Sequence, residues 1–163
     1  MLTIRFLSSA YKLRKGEPFA HLPAPRLAAA KGEFLCFQAV LESDEAQRVS
    51  VSSPSGFDTE IFWERYVHIP NPSCTYLKAG DYPDVLVDND STEKSGENAL
   101  AANQPKFLFI RVRVPRSYGE NRLTFVLEAE GKTRASAEID AEIYPFALPE
   151  RVHAASSFAV RDD

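Results

Sequence analysis

Apolar residues recur at every second position over most of this chain. Leu2, Ile4 and Phe6 alternate with Thr3 and Arg5 and predict an opening strand. Residues 33–42, EFLCFQAVLE, form a mostly apolar run bounded by Gly32 and a polar stretch, the pattern of a strand buried on both faces. Val49 and Val51 alternate with serines ahead of a turn at Ser53-Pro54-Ser55-Gly56. In 60–69, Ile61, Trp63, Val67 and Ile69 point one way, interrupted by Arg65, while Phe62, Tyr66 and His68 point the other. Leu108, Ile110, Val112 and Val114 make a clean apolar face in 106–114. Leu123, Phe125 and Leu127, then alternate residues from Ala135 to Ile143, predict two more strands. Short strands at this spacing, separated by turn signals, predict an all-β, antiparallel sandwich, immunoglobulin-like or carbohydrate-binding-module-like.

The inward phase of these strands predicts a core of Trp63, Leu108, Ile110, Val112, Phe125, Ile139 and Ile143. Helix signals are weak. The alanines of RLAAAKGE, 26–33, favour helix, but the run is short and meets Gly32 at once, so an extended conformation is expected. Residues 70–105 read as irregular: Pro70, Pro72, Pro83 and Pro105 interrupt them, and they carry Asp88, Asp90, Glu93 and the polar run STEKSGEN. A loop this long in a compact domain points to function or an interface; a solvated surface excursion over 88–98 is the other reading.

The second faces of two strands are unusual. Phe107 and Phe109 alternate opposite the apolar face of their strand, continued by Arg111 and Arg113, and Phe62 and Tyr66 point away from Trp63. Large aromatic residues on a face that normally meets water imply a cover, which is a sugar, another protein surface, or the 70–105 segment itself. Phe62, Tyr66, Phe107, Phe109 and Arg111 are therefore the candidate ligand or interface residues.

Composition narrows the function classes. At 44% hydrophobic and 26% charged residues, the 163-residue chain is in the range of globular domains, which excludes bulk disorder. A net charge of −4 argues against a nucleic-acid partner. The first twenty residues hold no apolar run as long as a signal-peptide core (about 7–15 residues), and no run approaches the roughly 18 needed to span a membrane. A cytoplasmic location is favoured, or an extracellular one if a leader has been removed, with no membrane partner.

Candidate chemistry is sparse. His21, His68 and His153 lie far apart, without the spacing of a metal site, and no metal or cofactor is expected. There is no GxSxG, GxGxxG or P-loop. Asp81, Asp84, Asp88 and Asp90 lack the spacing of a calcium loop and read as turn-capping and solvated charge, with Asp84 capping a turn after Pro83. Cys36 reads as a buried thiol and Cys74 as a loop thiol, with weak support for a disulfide between them.

Several segments, in order, resemble a known module. KGEFLCFQAVL (31–41), RYVHIPNPS (65–73) with AGDYPDVLV (79–87), AANQPKFLFIRVRVPRSYGEN (101–121) and IYPFALPE (143–150) are similar to the N-terminal β-sandwich of family 123 glycoside hydrolases and their glycosidase-like relatives. Phe107 stands where the family usually has tryptophan, and SYGENRLTF lacks the fuller glycine-rich ending. The resemblance implies a sandwich over 1–145 and, over 146–163, an exit segment leading to a (β/α)8 barrel that would hold the catalytic acids. No catalytic residue carries over to this chain. The expected role is a non-catalytic accessory module that packs on and shapes such a barrel or self-associates, within a parent that hydrolyses glycosides. Its contact is expected at exposed apolar surface near Phe107, Phe109 and the C-terminal segment, which carries Leu148, Val152 and Phe158. The alternative is a carbohydrate-binding module that stacks sugars on its surface aromatics. An independent enzyme using the acids of 81–90 is disfavoured, because glycoside cleavage needs two carboxyls held at fixed separation across the bond.

Overall fold

The alternation of apolar and polar residues becomes strands throughout the structure, a computed structural model that describes residues 1–73 and 78–149. In chain order the elements are β1 (Leu2–Ser8), β2 (Leu27–Lys31), β3 (Phe34–Ser43), β4 (Gln47–Arg48), β5 (Ser50–Ser52), β6 (Thr59–Ile69), β7 (Gly80–Asp88), α1 (Asn89–Ser95), β8 (Ala99–Leu100), β9 (Lys106–Arg113), β10 (Arg122–Glu130) and β11 (Arg134–Ala147). One sheet has the order β1-β3-β9-β6-β7 and is antiparallel throughout. The other has the order β2-β11-β10-β5 and is antiparallel except for the parallel pair β2–β11. The fold is an antiparallel β-sandwich. The alanine run is extended, as expected, and forms the edge strand β2. Gly32 turns it into β3 with φ +85°, a backbone region costly for other residues, and donates its N–H to the Val114 carbonyl at 2.9 Å.

The two sheets face each other across one apolar core. Phe37 of β3, Phe125 of β10 and Phe6 of β1 meet edge to face, with centroids 5.3 Å apart for Phe37–Phe125 and 5.6 Å for Phe6–Phe37. Trp63, Leu108, Ile110, Val112 and Ile143 join them, all buried; Ile139, on the part of β11 that precedes its pairing with β2, is half-buried. The Trp63 indole N–H, which would otherwise be stranded, donates to Asn89 Oδ1 at 2.9 Å. Asn89 Nδ2 in turn donates to the Val51 carbonyl at 3.2 Å, so one side chain at the start of α1 ties β6 to β5.

Residues 70–105 are more regular than expected. Within them, β7 pairs with β6 as an edge strand, and α1 forms because Asp88 caps its start, accepting from the Ser91 N–H at 2.8 Å, and Gly96 (φ 77°) closes its end. Asp84 caps no turn. It is the extra residue of a bulge in β7, where Arg65 pairs with Val85 and Tyr66 with Pro83, and its carboxylate pairs with Lys12 at 2.7 Å. Cys36 is a free, half-buried thiol rather than a buried one. Cys74, His153, Val152 and Phe158 lie outside the described residues.

The larger correction concerns Phe107. It is not on open surface: with 3% of its area exposed, it belongs to a second apolar cluster with Leu7 and Val40 on the outer side of the five-stranded sheet. The cover is the chain's own 9–26 segment, which lays Tyr11, Leu13, Phe19 and Leu22 over them; Phe19 meets Phe107 edge to face at 6.0 Å. This strap is tied down by Gln38 Nε2, which donates to the Tyr11 carbonyl at 3.0 Å, and by Arg5, which donates to the Leu22 carbonyl.

Glu64, on the same outer side, is the unusual polar residue under this cover. It is 9% exposed, and its buried Oε2 has no hydrogen-bond partner among the described residues. Desolvation outweighs attraction to Lys12, while the Asp84 charge pushes the same way as burial, so its pKa rises to about 7.

Two predictions follow from this packing. Ile110→Ala should cost about 2–5 kcal/mol and Phe107→Ala about 3–5 kcal/mol, read by denaturant unfolding. A loss below about 1 kcal/mol at Phe107 would show that the strap does not pack there. Because the folded pKa of Glu64 exceeds the ordinary carboxylate value of 4.5, the unfolded chain loses this proton first as pH rises. Stability from Glu64 is therefore complete below pH 4.5 and is lost as pH climbs to about 7. Glu64→Gln should gain on the wild type between pH 5 and pH 8, by about 3 kcal/mol at most. An equal difference at both pH values would mean that the carboxylate is already ionised in the fold.

Candidate functional site

The five candidate residues do not form one site. Phe107 is core, as described. Phe62 and Phe109 are register partners on β6 and β9, both half-buried, with Gln38 on the far side of Phe109. Arg111 forms an ion pair with Glu60, and that hydrogen bond raises the guanidinium pKa and lowers the carboxyl pKa. The Arg111 guanidinium also lies 4.8 Å from the ring centre of Phe34, with Arg113 at 5.6 Å, so the ring is capped by two cations. Arg111 is thus an internal partner of the sheet face.

Two of the five border a concavity: Phe62 lines a hollow of about 330 Å³ with Thr59, Glu60 and Asp88 to Asp90, and Tyr66 lines a larger one. A groove of about 460 Å³ runs between the strap and the turn leading into β9, and its lining includes Lys15, Phe19, Glu42, Tyr66, Asn103 and Lys106. Lys15 Nζ lies 5.8 Å over the Tyr66 ring. Burial raises the Tyr66 phenol pKa, reinforced by the Glu64 and Asp81 carboxylates. Lys106 donates to the Glu97 carbonyl, and its pKa is lowered by desolvation. Asn103 sits in the left-handed backbone region (φ 56°), held by its N–H to the Ser43 carbonyl at 2.7 Å. Nothing in the apolar periodicity marks this groove, because its polar members come from a turn and from an outward position of β3.

The acidic residues are dispersed. Asp81 pairs with His68 at 2.7 Å, Asp84 with Lys12, and Asp88 caps α1. Among the described residues no group of three or more His, Cys, Asp or Glu side chains could hold a metal ion. No helix there is long and apolar enough to cross a membrane.

The second surface feature lies at the far end of β11. Pairing with β10 ends at Glu142, opposite Arg122, and β11 runs on to Ala147 against β2 alone, with a register break between Tyr144 and Ala147. On this overhang Tyr144, Phe146 and Leu148 are 41%, 57% and 38% exposed. The Tyr144 and Phe146 rings stack in parallel, centroids 6.0 Å apart and planes 2° from parallel, forming a flat apolar platform. Exposed apolar surface near the C-terminal segment is an expectation of the sequence. Its centre is this platform rather than Phe107 and Phe109. The signal for it was present in the switch of large apolar residues from odd positions, ending at Ile143, to the even positions Tyr144, Phe146 and Leu148.

The sequence matches no protein-family model and no curated protein. Among solved structures, the chain is similar to part of a family 123 glycoside hydrolase from Clostridium perfringens, described for glycolipid glycan hydrolysis, with TM-score 0.63 at 13% identity. That match covers 91% of this chain and 28% of the hydrolase. Looser likenesses are to AvmM, which catalyses macrocyclization in alchivemycin A biosynthesis (TM-score 0.43, 7% identity, 93% of this chain and 92% of that one), and to PapD-like domain 7 of human CEP192 (TM-score 0.34, 8% identity, 90% and 87%). Only the first carries weight, and what it shows is fold: this chain shares the architecture of one segment of a family 123 hydrolase and spans 28% of that protein's length.

Proposed function

We propose that this chain is a non-catalytic accessory β-sandwich of a glycoside hydrolase-like protein, packing on a (β/α)8 catalytic domain through the overhang of β11. The observation that carries this reading is the exposed Tyr144–Phe146 stack, continued by Leu148. Three neighbouring apolar side chains on a strand end that has lost one partner are unfavourable in water and gain by burial against another surface. The likeness to a segment covering 28% of a family 123 hydrolase supports the same role, since there too the sandwich is part of a larger body. The carbohydrate-binding reading loses Phe107, which is buried, and rests best on Tyr66, which borders the larger groove.

Separated from such a body, the chain should self-associate reversibly through this platform. Sedimentation at increasing concentration should show association that Phe146→Asp weakens, while the unfolding free energy of the variant stays within about 0.5 kcal/mol of the wild type. A monomer at all concentrations, identical for both proteins, would argue against the platform as a docking surface. The chain itself should release no aryl alcohol from aryl N-acetylhexosaminides above the buffer rate. Turnover that survives further purification and is lost in Asp84→Asn would overturn the non-catalytic role.

A further inference from the structure

The groove beside Tyr66 has a chemistry that the docking role does not use. Its aromatic members are Tyr66 and Phe19, both partly buried by packing against the second core. Its polar members include the Glu42 carboxylate, the Asn103 and Gln104 amides and the Tyr66 hydroxyl. Among the described residues, none of these four side-chain groups has a hydrogen-bond partner within the chain, whereas the neighbouring Glu17 and Lys106 are engaged. Glu17 accepts from the Arg14 backbone N–H and Nε, each at 3.0 Å, and Lys106 donates to the Glu97 carbonyl.

The charges of the lining cancel: Lys15 and Lys106 stand against Glu17 and Glu42. A phosphate or nucleotide ligand would call for an excess of cations, and a lipid would call for apolar walls throughout. What remains is a ligand that is uncharged, flat enough to lie on a ring, and edged with groups that both donate and accept. A pyranose fits each requirement: its axial C–H bonds make an apolar face, and its equatorial hydroxyls match a carboxylate acceptor and two amides that do both. The volume of about 460 Å³ is within the usual range for small-molecule sites (about 300–1,000 Å³). The backbone at Asn103, left-handed and pinned to Ser43, fixes the origin of one amide.

We propose that this groove binds a neutral mono- or disaccharide. The Tyr66 ring stacks on the sugar face, Lys15 moves off the ring to admit it, and Glu42, Asn103 and Gln104 hydrogen-bond its hydroxyls. The proposal is independent of the docking platform, which lies on the other sheet.

The test is titration of the isotopically labelled 163-residue chain with cellobiose, maltose, lactose and N,N′-diacetylchitobiose, each to about 20 mM, followed by amide chemical shifts. At least one sugar should give saturable shifts over residues 15–19, 42–43, 66 and 101–106, with Kd on the order of 1 mM. Asn103→Gly, which keeps the left-handed backbone, and Glu42→Gln should each weaken binding about fivefold or more, and both remove side-chain groups without internal partners. Tyr66→Ala should abolish binding. The absence of saturable shifts with all four sugars would overturn the proposal. So would shifts centred on Tyr144 and Phe146, or unchanged affinity in both surface variants.

Discussion

The central strands β3 and β9 carry a fully apolar inner face and, at Val40 and Phe107, an apolar patch on the outer face, and both have to be kept from water. On the inner side the requirement is met by β10 and β11, which bring Phe125, Leu123 and Ile143 against Phe37, Leu108 and Ile110. On the outer side no second sheet is present to cover Val40 and Phe107, and the chain supplies its own 9–26 segment. That strap has little regular structure of its own. It is held by what it covers and by hydrogen bonds from Gln38 and Arg5, both reaching from strands to strap carbonyls. Removing a large ring from beneath it leaves a cavity and also removes the reason for the strap to stay down, which couples the outer cluster to the order of residues 9–26.

The strands and their phases were legible because a half-buried strand writes its burial into the sequence at period two. Trp63, Leu108, Ile110, Val112, Phe125 and Ile143 all occupy the inward positions that alternation assigns them. The cover over Phe107 was not legible, for a reason of the same kind. An apolar residue on a second face has one signature, whether the neighbour that hides it is a sugar, a partner or another part of the chain. The strap residues Tyr11, Leu13, Phe19 and Leu22 are spaced without period and separated by Pro18 and charged residues, so nothing marks them as a lid. Strand β7 was masked by Pro83 and by the bulge at Asp84, both tolerated because β7 is an edge strand. Helix α1, at seven residues, is too short to show a helical repeat, although its two caps, Asp88 and Gly96, are plain in the sequence.

Polar groups follow the same division between rim and cover. Most ion pairs, such as Lys12 with Asp84 and Arg134 with Glu128, are exposed and contribute little to stability. Glu64 differs because the strap takes it out of water without giving its Oε2 a partner. Gln38, buried on the same face, has one oxygen in the same condition although its amide nitrogen is used. Two unsatisfied acceptors beneath one segment make the strap a less favourable cover than the opposite sheet.

The two surface features belong to opposite layers. Tyr66 and its groove lie on the outer side of the five-stranded sheet, next to the strap, whereas Tyr144 and Phe146 extend from β11 of the four-stranded sheet, where Ala141 and Ile143 already occupy the inner side. The stacked rings and the groove therefore present separate surfaces of the molecule. The groove is lined by the strap, the turn leading into β9, Tyr66 of β6 and an outward position of β3, none of which is shared with the overhang. Because the groove is bounded by the strap, its shape depends on the packing of Phe19 against Phe107. The residue whose burial ruled it out as a sugar platform is the one that holds a wall of the groove in place.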